Sequence, residues 1–359
     1  MRLCLAGMLL TSVSFAQNGA QCTASVPKPL VVRGEGFAER LGDVIINCTG
    51  SGPSTADITL NLAFNFTSRI IDPALNLSEA MLLVDEPQSL IPGSNVFFGS
   101  IDGPHLRFYG IPIGRVLRLT NVRGEIAPLA AFGNPQVNES VQISGGVVVA
   151  DSFVTAGYYY STLAASLARS EPAHFSQCGN RTAQQEVGTL QFNEKTPSAF
   201  KTRADESGLV FAEDGYVAGL ADFGTRLKAV FHGIPAGVRL FVSTGNDSAV
   251  LVPNESYVFD GPMPAASAAI AELPVSNGEA TAVWEITKED PVAMETLSFG
   301  VWQQFAGRPN VGTITVSMSY APTPPAADAR FANTSYPQEL FSIAPCKMRM
   351  PPPPRRRAQ

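Results

Sequence analysis

Ile58, Leu60, Leu62, Phe64 and Phe66 occupy every second position of one run, with Thr59, Asn61, Ala63 and Asn65 between them. A period of two belongs to an extended strand with one buried and one wet face, and it cannot be laid on a helix. The same reading predicts further strands at 30–33, 43–48, 80–84, 95–98, 106–109, 116–123, 140–149 and 153–160. Turn chemistry separates them: Gly34-Glu35-Gly36, Gly50-Ser51-Gly52-Pro53, Asp102-Gly103-Pro104 and Gly133-Asn134-Pro135. Short strands at this spacing imply an antiparallel sandwich.

A second region repeats the style, with strands predicted at 187–192, 209–211, 226–232, 239–243, 249–252, 280–286, 296–303 and 312–320. Segment 163–169 is Ala/Leu-rich and reads as a helical turn or two. Segment 265–273 reads as a short helix or a small-residue loop. Both regions contain a strand, a Gly-Ile-Pro-x-Gly turn and a strand, at Gly110–Gly114 and at Gly233–Gly237. Of 359 residues, 31 are Gly and 28 Pro, while only 16% are charged against the usual quarter, which excludes coiled coils and long-helix proteins. The fold expected is all-β: two antiparallel β-sandwich (Ig-like) domains in tandem, at 17–165 and, with an N-terminal connector, at 166–346.

The N-terminus carries one basic residue, Arg2, then an apolar run from Leu3 to Val13 and a Ser14-Phe15-Ala16 site. These are the parts of a secretory signal peptide, 1–16, and the run is too short for a permanent membrane anchor. No later stretch reaches the length of a transmembrane segment. Without residues 1–16 the chain keeps 24 basic and 31 acidic residues, a net charge of −7. Five of those basic residues lie in 347–359, a proline-rich tail read as disordered, so the body stands near −12. Such a body repels phosphate backbones, and no nucleic-acid partner is expected.

Export places the four remaining cysteines, Cys22, Cys48, Cys178 and Cys346, in an oxidising compartment, where an even count implies two bridges. Three pairings are open. Cys22–Cys48 with Cys178–Cys346 is favoured, because each pair then brackets a region with its own strand pattern. No two cysteines are close enough for a zinc ligand pair, and no metal or cofactor is expected.

Motifs for catalysis are missing: there is no HExxH, GxSxG, Walker A or GxGxxG. His105, His174 and His232 read as structural or surface residues. The acid pairs Asp85/Glu86, Asp205/Glu206, Glu213/Asp214 and Glu289/Asp290 read as solvated turn carboxylates. Tyr158, Tyr160, Trp284 and Trp302 are the candidate ligand aromatics, since a planar ring can stack on a sugar. In a strand Tyr158 and Tyr160 share a face that Tyr159 does not.

Several stretches carry a family resemblance. Cys22-Thr23, Pro29-Leu-Val-Val-Arg-Gly-Glu-Gly and Gly42-Asp-Val-Ile-Ile-Asn-Cys-Thr-Gly resemble the opening of large uncharacterised secreted proteins of soil Acidobacteria. So do Thr67-Ser68-Arg69, Leu119-Thr-Asn-Val-Arg, Phe200-Lys-Thr-Arg, Leu220-Ala-Asp-Phe-Gly-Thr-Arg-Leu-Lys and Thr281-Ala-Val-Trp-Glu. The resemblance spans roughly 22–346 and implies export, β architecture and a bacterial source. Relatives continue past the position of Cys346 into a further β-rich domain, where this chain departs. The family brings no established activity and no catalytic residue. The function expected is that of a secreted, non-enzymatic structural or adhesive module, bound to an envelope or extracellular polysaccharide or protein. The alternative is a carbohydrate-binding module using exposed aromatics.

Overall fold

The computed structural model describes residues 19–87, 91–129, 133–168, 171–179, 181–208, 221–258, 269–322 and 336–346. The leader at 1–16, the tail at 347–359 and the strand expected at 209–211 lie outside these residues. The chain is all-β. A first body holds β1 (Gln21–Ser25), β2 (Leu30–Arg33), β3 (Glu39–Arg40), β4 (Val44–Thr49), β5 (Thr55–Leu62), β6 (Ile70–Asp72) and β7 (Leu77–Val84). It continues with β8 (Val96–Asp102), β9 (His105–Pro112), β10 (Val116–Thr120), β11 (Arg123–Gly124), β12 (Gln136–Ile143), β13 (Val148–Ala150) and β14 (Phe153–Tyr160).

The second body begins with β15 (Leu163–Leu167), β16 (Ala173–Ser176), β17 (Arg181–Glu194) and a single helical turn, α1 (Arg203–Glu206). Then come β18 (Arg226–His232), β19 (Val238–Ser243), β20 (Ala249–Val252), β21 (Ile270–Glu272) and β22 (Ala280–Ile286). β23 (Thr296–Phe305), β24 (Gly312–Ala321) and β25 (Gln338–Ala344) finish it.

In the first body the strands run β13-β1-β4-β10-β7-β8-β9-β5-β12-β14-β2 in one continuous sheet, with β6 beside β7. Alternation decides how that sheet closes. Val44, Ile46, Leu82, Leu117 and Leu119 from one half share a core with Ile58, Leu60, Phe108, Val137 and Val141 from the other. Two halves facing one core require the sheet to fold over on itself, and β8, paired with both β7 and β9, carries it round.

The second body is built from two separate sheets, β15-β17-β23-β19-β21 and β16-β25-β24-β18-β22-β20. Leu190, Phe192, Phe299 and Val301 from the first meet Leu227, Phe231, Trp284 and Val316 from the second. Trp284 stacks on Phe299 with ring centroids 4.2 Å apart, and its indole N–H donates to the Ser243 carbonyl at 2.9 Å. The polar end of the ring is therefore satisfied inside an apolar core.

Several expectations need correction. The boundary expected between 165 and 166 falls inside β15, which pairs with β17, so the chain changes body at Ser161 and Thr162. Segment 163–169 begins as that strand and not as a helical turn, because its Leu163 side chain is buried while the backbone joins a ladder. The expected connector contributes β16, which pairs with β25. The single strand expected over 116–123 is broken at Asn121, whose φ is 57°. That over 140–149 is broken by a turn at Gly145 and Gly146, with φ of 74° and 75°. The pairing is not wholly antiparallel either: β1 with β13, β14 with β2 and β16 with β25 run parallel, all at sheet edges.

Disulfides join Cys22 to Cys48 and Cys178 to Cys346. The first links directly paired positions of β1 and β4. The second closes just beyond the β16–β25 pair.

Candidate functional site

Two polar regions stand out from these cores: a sealed junction between the bodies and an open cleft on the first body.

The junction is organised by Arg33, at the end of β2. Its Nε donates to Glu39 Oε1 at 2.8 Å and its Nη1 to Thr225 Oγ1 at 2.7 Å and the Ala199 carbonyl at 3.2 Å. Its Nη2 pairs with Glu206 of α1. Arg123 reaches the Glu206 carbonyl and lies 3.4 Å from Glu79, and Arg69 pairs with Asp222 at 2.9 Å. At the crossover itself, Glu35 accepts from Thr162 Oγ1 at 3.0 Å. Thr162 Oγ1 spends its proton there, so Tyr320 Oη, also 3.0 Å away, donates to it.

Local sequence aims these groups. Thr202 caps α1 in a capping box with Asp205, and the one-turn helix projects the next residue, Glu206, into the junction. Gly224 lets the chain pass close by: a Cβ there would sit 2.9 Å from the Arg203 nitrogen and the Lys201 carbonyl. Burial alone would push the Glu206 carboxyl up, but Arg33, Lys201 and Arg123 outweigh it and hold it down at about 2. Burial likewise opposes the Arg33 charge, and Glu206 and Glu39 more than offset it. Glu206 is thus a buried junction carboxylate, correcting the expectation of a solvated turn.

The cleft lies on the outer face of the first body and has a volume of about 380 Å³. On β12, Gln136, Asn138 and Ser140 point outward, alternating with the buried Val137, Glu139 and Val141. Register sets them beside their neighbours: Ser140 opposes Phe153 of β14 on one side and Asn61 of β5 on the other. Asn138 opposes Thr155, whose hydroxyl donates to Asn138 Oδ1 at 2.8 Å. Asn61 donates to Ser140 Oγ at 3.2 Å, and its own Oδ1 lies 2.6 Å from His105 Nδ1. Phe153, 68% exposed, forms one wall, and Asn134 lines the end. Among the described residues, none that lines the cleft is charged. Behind this face, Glu139 is fully buried, neither carboxyl oxygen has a hydrogen-bond partner, and burial pushes it up to about 8.

The expected ligand aromatics do not form one surface. Trp284 is 0% exposed in the second core, so it is removed from any exposed platform. Trp302 is half-buried on β23 of the second body, where it covers Gly300. Tyr158 and Tyr160 lie on β14 of the first body, with Tyr158 opposite Gln136 beside the cleft and Tyr160 exposed. The sequence reading passed over Phe153 and the amide row. Their signal was the wet half of the alternating strands, in which Asn61 was already placed.

The junction was missed as a site, although several of its residues sit inside the stretches that carry the family resemblance. Arg33 and Glu35, Arg69, Arg123, Arg203, Asp222 with Arg226, and Glu285 come from six of those stretches. The structure brings most of them to the junction and gives Arg226 and Glu285 a separate buried pair, at 2.6 Å.

No family model matches the chain, and no curated protein matches its sequence. Among solved structures, the C-terminal domain of the Streptococcus agalactiae AgI/II polypeptide BspA shares 10% identity over 90% of this chain and 99% of its own, at a TM-score of 0.31. The C-terminal domain of the Streptococcus pyogenes antigen I/II-family protein AspA shares 6% over 90% and 97%, at 0.32. AvmM, which catalyses macrocyclisation in alchivemycin A biosynthesis, shares 10% over 53% and 93%, at 0.27. Likenesses with TM-scores this low carry no argument about this chain.

Proposed function

We propose that the protein is a secreted, non-enzymatic structural or adhesive module whose two bodies are held as one unit. The observation that carries this reading is the Arg33–Glu206 pair and its partners, which tie the first body to the second through side chains removed from solvent. Strongly perturbed ionisable groups usually mark catalytic sites. Here Arg33, Glu206 and Glu139 are closed off from solvent, where no substrate reaches them. Two disulfides fit an oxidising compartment, extracellular or periplasmic. Membership of the soil Acidobacteria group belongs to the same proposal. The test is retention of the purified chain on a whole extracellular matrix preparation, with heat-denatured chain as control. A folded chain that washes off with the bulk protein would end the reading.

A carbohydrate-binding role has its own support in the cleft beside β12, which joins an exposed ring to neutral hydrogen-bonding groups.

A further inference from the structure

The geometry points to the cleft lined by Asn61, Gln136, Asn138, Ser140, Phe153 and Asn134 as a binding site for a neutral polysaccharide chain. This deepens the adhesive reading and rests on it. Three properties select the ligand class. The described lining carries no charge, in a chain with 31 acidic residues, so no described group there would neutralise an anion or a cation. A phosphate or uronate polymer would meet the repulsion of the acidic body without a compensating contact. A neutral polyol meets neither cost.

The polar groups are also of the right kind. Amides and hydroxyls each offer both a donor and an acceptor, as a sugar hydroxyl requires. Two of them, Asn138 and Asn61, are held in place by neighbours. Asn138 uses Oδ1 for Thr155, which leaves its amide N–H groups directed elsewhere, and Asn61 is fixed between Ser140 and His105. Among the described residues the Gln136 side chain makes no hydrogen bond. Pre-ordered donors lose less freedom on binding.

The apolar contact is supplied by Phe153, exposed far beyond what a core residue would be and in register with the polar row through Ser140. A pyranose ring has an apolar C–H face and a polar rim, and an aromatic wall beside a row of amides matches both. β5, β12 and β14 span roughly 10 Å at ordinary strand spacing, room for a short run of sugar rings laid across the strands.

The experiment is affinity electrophoresis of the full chain in gels containing dextran, galactomannan or hydroxyethylcellulose, with polygalacturonate as the anionic control. At least one neutral polymer should retard the chain and polygalacturonate should not. Phe153→Ala should weaken that retardation about tenfold or more, and Asn138→Ala should weaken it too, with melting temperatures unchanged because both side chains face outward. Tyr160→Ala, outside the cleft lining, should bind as the parent does. The inference is overturned if none of the three neutral polymers retards the chain, if polygalacturonate retards it more, or if Phe153→Ala migrates like the parent. Matrix retention separates the two readings. A chain whose matrix binding survives Phe153→Ala is adhesive through another surface, whereas one that binds neither matrix nor polymer fails both.

Discussion

Arg33 Nη1 lies 2.7 Å from Thr225 Oγ1, joining the last residue of a first-body strand to the residue that precedes β18 in the second. Around this contact two carboxylates, Glu39 and Glu206, converge on the same guanidinium. Removing the cation strips Glu39 of its buried ion-pair partner and leaves Glu206 with only the more distant Arg123, at 3.9 Å, and Lys201. Arg33→Ala should therefore lower stability by about 3–5 kcal/mol. Denaturant unfolding followed at both bodies checks this, and a loss below about 1 kcal/mol would show that the junction is not the main tie.

Acid should loosen the same junction. Glu206 is held at about 2, below the ordinary 4.5 of an unfolded glutamate. A depressed carboxyl contributes stability that is complete above the unfolded value and is lost as pH falls from about 4.5 towards 2. Melting temperature should drop across that window, and Glu206→Gln should flatten the slope while lowering the plateau near neutrality. A variant with the parent's slope would place the acid response elsewhere.

Glu139 should give the opposite dependence. Burial raises it to about 8 from 4.5, so the folded state prefers the neutral acid. Its contribution is complete below about 4.5 and is lost as pH rises towards 8, at up to roughly 1.4 kcal/mol per pH unit. Glu139→Gln should raise the melting temperature at pH 8 and change it little at pH 4. Equal shifts at both pH values would contradict this account.

The two disulfides should act on different bodies. The chain-entropy model assigns about 3.5 kcal/mol to a loop of the Cys22–Cys48 separation, 26, and about 5 kcal/mol to that of Cys178–Cys346, 168. Cys178→Ser with Cys346→Ser should expose the amides of β16 and β25 to hydrogen exchange while β1 and β4 keep their protection. Loss of protection in β4 would show that the first body depends on the second bridge.

The buried tryptophan should behave as core. Trp284→Ala should cost about 3–5 kcal/mol, as large-to-small changes in sealed aromatic cores do. Acrylamide should quench the remaining Trp302 in that variant's partner, Trp284→Phe, more readily than it quenches Trp284 in Trp302→Phe. Equal quenching would contradict the stacking on Phe299.

Much of the architecture was legible, and the reason is physical. β2, β14, β18, β20 and β22 match the expected bounds, because each is a short apolar or alternating run punctuated by Gly, Pro, Asn, Asp or Ser. What escaped the reading was set by distant partners. β16 is recognisable as a strand only through β25, with which it pairs near the other end of the second body. β15 looked helical because Ala and Leu favour helices locally, and its ladder with β17 overrides that preference. The junction was hidden for a related cause. Arg33, Arg123 and Glu206 are ordinary charged residues beside turns, and only the packing of one body on the other takes them out of water. The cleft was half visible: alternation placed Asn61 on a wet face, but the register that sets Ser140 between Asn61 and Phe153 is a property of the assembled sheet.

The parallel edges also impose an order of assembly. Every strand of the first body lies before Ser161, so that body has all its pairing partners once β14 has been made. The second body has no such early completion. β16 must wait for β25, and Cys178 for Cys346, 168 positions later. During synthesis, a closed first body would therefore precede an open second one. β16 and the thiol of Cys178 stay unmatched until β25 and Cys346 arrive, so the bridge there reports that β16 has met its partner strand.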